Sequence, residues 1–186
     1  MPVAQPKFLD VTAGTSANGV IETMSAGSHV WPANVSTGAA QTFFPSTTFT
    51  FDWFATLTNT TPNPSTVNAT VVFAYANNSS CTSPTTIASG PVSMTANSTT
   101  TNTNGTSAAF SPTAAVTVPA GSFLCVIMNV ATATNVDLRY AGGTTATSGL
   151  NSSQVIFLPE DVLLLAGLAL LIPVLVRLRR RRRRPC

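Results

Sequence analysis

The sequence predicts an all-β fold: a single antiparallel β-sandwich of jelly-roll or immunoglobulin-like type, followed by one C-terminal transmembrane helix. Three observations predict it. Between Thr47 and Leu158 apolar and polar residues alternate with period two, and helical periodicity is missing. Pro-, Gly-, Asn- and Ser-rich breaks divide that stretch at short intervals. After residue 161 the composition changes abruptly to fifteen apolar residues and an arginine run. A chain of 186 residues has room for one domain of ordinary size plus an appendage. The division is residues 1–45 as an N-terminal arm or first strands, 46–158 as the sandwich, and 159–186 as the anchor.

The first 45 residues are irregular, with candidate strands at 20–24 and 29–35 and a join at Phe43, Phe44 and Pro45. The clearest strand is 48–58, in which Phe49, Phe51, Trp53, Ala55 and Leu57 point one way and Thr50, Asp52, Phe54 and Thr56 the other. Next comes 66–76, with Val67, Ala69, Val71, Phe73 and Tyr75 on one face and Asn68, Thr70, Val72 and Ala74 opposite. Both read as half-buried antiparallel strands. Further strands are expected at 86–95, 114–118, 122–130, 136–140 and 154–158, with turns at Pro119-Ala120-Gly121 and Ala141-Gly142-Gly143. The glycines read as turn residues.

Charged residues make up 8% of the chain where about 25% is usual. Their place is taken by 30 Thr, 18 Ser and 13 Asn. Hydrophobic residues at 44% suffice for a packed core, so low charge does not signal disorder. Threonine on strands has a physical logic, because it is β-branched and offers water a hydroxyl without charge. The same richness creates eight Asn-x-Ser/Thr acceptor motifs for N-glycosylation, at Asn34, Asn59, Asn68, Asn77, Asn78, Asn97, Asn104 and Asn151. The other reading of these is plain Thr/Asn-rich loop.

Charge is split along the chain. Residues 1–158 hold two basic side chains, Lys7 and Arg139, against Asp10, Glu22, Asp52 and Asp137, a net of −2. Residues 159–186 hold seven arginines against Glu160 and Asp161, a net of +5. Between them lies the apolar run of Val162, Leu163, Leu164, Leu165, Leu168, Leu170, Leu171, Ile172, Val174, Leu175 and Val176, interrupted by Ala, Gly and Pro173 only. Fifteen helical residues rise about 22 Å, short of the ~30 Å hydrocarbon core, and the flanking arginines extend the reach by snorkelling. Arg177, Arg179, Arg180, Arg181, Arg182, Arg183 and Arg184 form the stop-transfer cluster. By the positive-inside rule they stay inside, with residues 1–158 on the outer side of a cell or viral membrane. Membrane lipid is therefore one expected partner, and nucleic acid is a partner at the arginine tail only.

Leu158, Pro159, Glu160 and Asp161, then the short apolar helix, then the arginine cluster, resemble the tripartite sorting signals of sortase, exosortase and archaeosortase substrates. That resemblance implies a Pro-containing recognition motif, a helix that holds the precursor in the membrane, and removal of the tail on transfer to an anchor. It covers about 28 residues, and its motif is LPED in place of LPxTG or PEP. The run TVPAGSFLCVIMNV followed by NVDLRYAGG resembles the late strands of small sandwich domains in bacterial and archaeal surface proteins. Residues 1–19 carry one lysine and no apolar leader core, so no signal peptide is read there. A start downstream of the true one, a mature form, and insertion by another route all fit that.

No catalytic, cofactor-binding or metal-binding set is expected. His29 is the sole histidine, standing in GSHVWP, and reads as structural or surface. No Gly-x-Ser-x-Gly elbow, Gly-rich phosphate loop or spaced carboxylate pair is present. Asp137 and Arg139, two apart on one strand face, read as a weak surface pair. Cys81 and Cys125 are either a disulfide or, for Cys125, a small buried residue; Cys186 ends the chain. Among the aromatics, Trp53 and Tyr75 lie in core register, leaving Trp31 the freer candidate for stacking on a sugar. The expected function is a non-enzymatic structural or adhesive surface protein with no small-molecule substrate. Its protein partners would be copies of itself or neighbouring coat and surface proteins. A viral spike or capsid component with its basic tail toward the genome is the alternative, and a carbohydrate-binding module the third class.

Overall fold

The structure, a computed structural model, describes residues 20–61, 63–132, 134–140 and 148–154. Among these, all regular structure is β, in eleven strands: β1 (Val20–Thr23), β2 (Gly27–Ser36), β3 (Gln41–Phe43), β4 (Phe49–Leu57), β5 (Ser65–Ala76), β6 (Thr85–Ala96), β7 (Thr103–Thr106), β8 (Val116–Val118), β9 (Phe123–Val130), β10 (Val136–Tyr140) and β11 (Gly149–Ser152). Every pairing is antiparallel.

Two sheets and a ribbon result. One sheet runs β1-β10-β4-β11, with β7 also on β4; the second runs β2-β9-β5-β6; β3 and β8 form the ribbon. The register locates β10, β11 and β7 around β4. Ala55 is opposite both Leu138 and Thr103, and Asp52 is opposite both Gly149 and Thr106. A strand residue has only two lateral neighbours, so β10 and β11 lie in line along one edge of β4 and β7 lies along the other. Ser148 N donates to Arg139 O at 3.1 Å, rejoining that line. In the second sheet Pro32 and Pro91 fall on β2 and β6, the two edge strands, where a missing N–H costs least.

Alternation builds the core between the sheets. Phe49, Phe51, Trp53, Ala55 and Leu57 of β4 share one cluster with Val67, Val71 and Phe73 of β5 and Leu124, Val126 and Met128 of β9. At its centre the Phe73 ring lies 4.9 Å from that of Phe49 and 5.6 Å from that of Phe43, so all three β layers meet there. Phe110 reaches the same group, 5.9 Å from Phe49.

Two glycines seat core rings, contrary to the expectation that glycines mark turns. A Cβ on Gly90 of β6 would come within 2.6 Å of Phe110 Cβ, and one on Gly105 of β7 within 2.6 Å of Trp53 Cζ2. Gly105→Ala is therefore expected to cost about 1–3 kcal/mol by displacing the Trp53 ring, seen as a lower denaturation midpoint with an unchanged m-value.

The outer face of the second sheet is covered at one end. Ala74, Ala76, Cys125 and Ile127 form a second small cluster with Cys81, so the end of β5 is buried on both faces where a half-buried strand was expected. The covering loop, residues 77–84, is held by the Asn78 carboxamide, whose Oδ1 accepts from Ser80 N and Thr82 N at 3.1 Å each. Cys81 and Ser83 in it adopt left-handed φ of 53° and 52°.

One further expectation needs correction, and another falls almost wholly outside the described residues. The last strand on β4 is Gly149–Ser152; of the strand expected at 154–158 only Gln154 is described, and it lies outside any strand. Leu150 is fully buried opposite Phe51, but a four-residue strand with a single apolar side chain shows too little alternation to be read. Trp31 is only 4% exposed and belongs to the main core, because β2 turns His29 and Trp31 inward opposite Met128 and Val126. No helix among the described residues is long and apolar enough to cross a membrane. The apolar run 162–176, the arginines after it and Leu158, Pro159, Glu160 and Asp161 lie outside the described residues.

Candidate functional site

Where β1 ends, β4 passes into β5 and β9 into β10, the strand ends border an open, shallow cleft of about 460 Å³. Its lining is Thr23, Thr58, Asn59, Ser65, Thr66, Thr132, Thr134 and Asn135, each bearing a hydroxyl or a carboxamide and none a charge. The composition follows from position. Strand ends here meet water at the end of the stack, and Thr and Asn satisfy the last backbone groups while keeping extended or turn geometry.

Hydrogen bonds fix the wall. Asn135 is 9% exposed and grips the main chain of Asn59 at two points: its Oδ1 accepts from Asn59 N at 3.0 Å and its Nδ2 donates to Asn59 O at 2.8 Å. Asn59 Oδ1 in turn accepts from Thr61 N at 3.1 Å, an Asx turn. Thr23 and Thr58 each donate to Asp137 Oδ1 at 2.7 Å, and Thr134 donates to Met24 O at 3.1 Å. Asp137 thus ties the end of β1 to the residue after β4 across β10.

The same device recurs at Asp52, which accepts from Thr106 at 2.7 Å and from Asn151 Nδ2 at 2.7 Å, joining β7, β4 and β11. Hydroxyl and amide donors supply carboxylates here with charge-assisted hydrogen bonds. His29 is buried, with Nδ1 at 2.5 Å from Glu22 Oε1 and Nε2 at 2.9 Å from Ser25 O. Both ring nitrogens are thereby engaged in holding β2 against β1. Among the described residues no three His, Cys, Asp or Glu side chains gather at one point.

Cys81 and Cys125 are joined by a disulfide with a Cα–Cα distance of 6.1 Å, away from the cleft under the loop of residues 77–84. Of the glycosylation motifs, Asn59, Asn68, Asn77, Asn78, Asn97 and Asn104 are exposed. Asn151 is half-buried with its amide committed to Asp52, and Asn34 lies on β2 with its side chain outside the described residues. The cleft itself went unread in the sequence. Its residues come from four separate segments, and no single segment carries a signal beyond Thr/Asn richness.

No protein-family model and no curated protein matches the chain.

Proposed function

We propose that the protein is a non-enzymatic structural module displayed on the outer side of a membrane by the helix of residues 162–176, with the arginine tail inside. The observation that carries this reading is the Cys81–Cys125 disulfide, since such bonds form and persist in oxidising, extracytoplasmic compartments. The chain exit supports it. Gln154, the last described residue, accepts from Thr47 Oγ1 at 2.8 Å and donates from Nε2 to Thr42 O at 2.9 Å, at the Phe49 end of β4. The cleft lies at the Leu57 end, and nine residues of strand separate the two by roughly 27 Å. The described chain thus ends at the opposite end of the sandwich from the cleft. Sheet surfaces of Thr, Ser and Asn suit repeated packing against copies or neighbours without charge repulsion.

The strand order favours a second reading. Counting β10 and β11 as one line, the sheets are β1-β10-β4-β7 and β2-β9-β5-β6, the order of an eight-stranded jelly roll, an architecture common among viral capsid and lectin domains. By itself an architecture assigns no activity.

Thiol accessibility in native membranes or particles separates the two. Because Cys81 and Cys125 are buried, the protein is denatured in maleimide without reductant; a displayed surface protein is expected to leave both sulfurs unlabelled until reductant is added, and its residues 1–158 to be digested by external protease. Free Cys81 and Cys125 in the native state would overturn the display reading in favour of a chain folded in a reducing compartment. Replacing Arg179 through Arg184 with serine is expected to loosen or invert the topology, and protease access unchanged by that replacement would remove the stop-transfer role.

A further inference from the structure

We propose that the cleft at the Leu57 end of β4 is a saccharide-binding site. The inference rests on the cleft alone and not on the membrane reading. Its volume, about 460 Å³, falls within the range of small-molecule pockets. The chemistry of the ligand follows from where the hydroxyl protons go. A carboxylate and a carbonyl can only accept, so Thr23, Thr58 and Thr134 spend their single protons on Asp137 Oδ1, Asp137 Oδ1 and Met24 O. What these three hydroxyls keep is oxygen lone pairs. The wall is therefore rich in acceptors, with the carboxamide of Asn59 and the hydroxyl of Thr132 at its exposed side.

A ligand that matches must bring many O–H donors at close spacing and accept a few hydrogen bonds in return. A pyranose ring does this. Among the described residues an anion finds no cationic side chain in the lining. A bare cation would have to compete with two hydroxyl protons for Asp137 Oδ1. The wall is also ordered in advance, because the two bonds from Asn135 hold the Asn59 main chain in place before any ligand arrives.

The test is saturation-transfer NMR on the full chain in phosphatidylcholine nanodiscs, made in a host without N-glycosylation so that Asn59 is bare. The probes are methyl α-glucoside, methyl α-mannoside and N-acetylglucosamine at about 10 mM, where weak single-sugar binding registers. Transfer to at least one sugar is expected, weakened roughly five-fold or more by Thr58→Val with Thr132→Val, the loss of one or two hydrogen bonds. Thr106→Val, which removes a hydroxyl from Asp52 on another part of the sheet, is expected to leave transfer unchanged. Should Thr58→Val lower the melting temperature, the exposed Thr132→Val carries the comparison alone. Three results would overturn the site: no transfer to any of the probes, transfer indifferent to the cleft variants, or an equal loss with Thr106→Val.

Discussion

Phe73→Ala is expected to destabilise the protein by about 3–5 kcal/mol, lowering the melting temperature by roughly 10–20 °C. Phe73 is fully buried, and its ring touches Phe49 of one sheet and Phe43 of the ribbon from its own place in the other sheet. Truncation removes the transfer free energy of the ring and leaves a cavity that three separately anchored layers cannot close together. Phe44 provides the internal comparison. It is one residue beyond β3 and 53% exposed, so Phe44→Ala is expected to change stability by no more than about 0.5 kcal/mol. Chemical denaturation of both variants checks the pair. Equal effects would mean that Phe73 does not stand at the junction of the layers.

Removing the Cys81–Cys125 bond is expected to cost about 4 kcal/mol. The bond spans 44 residues of sequence, and in the chain-entropy model a loop of that length lies between the ~3 kcal/mol of a 15-residue loop and the ~4.7 kcal/mol of a 100-residue one. More than chain entropy is at stake, since the bond holds the loop of residues 77–84 over Ala74, Ala76 and Ile127. Without it, a segment with left-handed Cys81 and Ser83 is left with the hydrogen bonds of the Asn78 carboxamide and the one from Cys81 N to Asn78 O at 3.2 Å. The thermal melt of the reduced protein and that of Cys81→Ala with Cys125→Ala are expected to agree with each other and to lie below that of the oxidised protein. A melting temperature indifferent to reductant would show that the two sulfurs are not linked in the folded protein.

Long strands were legible because length lets alternation accumulate. β4, β5, β6, β9 and β10 were expected within about two residues of where they lie. β3, β7 and β11 were not, each being only three or four residues long with at most one large apolar side chain, Phe43 in β3 and Leu150 in β11, too few for alternation to show. What makes them strands is a partner: β7 and β11 exist along the two edges of β4, and β3 against β8. Gly90 and Gly105 were misread for the same reason, since a glycine under an aromatic ring looks no different in sequence from a glycine at a turn.

The cleft shows the limit most clearly. Thr23, Thr58 and Thr134 are ordinary strand-end residues until Asp137 and the Met24 carbonyl take their protons and fix their lone pairs. From composition and periodicity alone came the β class, the core faces of the long strands, the charge split and the expectation of an anchored tail. Each of these depends only on residues near one another in the chain. Tertiary structure decided the order of the strands, the burial of Trp31 and His29, the covered face beneath the disulfide and the acceptor-rich cleft. Those depend on which distant segments meet, and a local pattern of side chains holds no record of its partner.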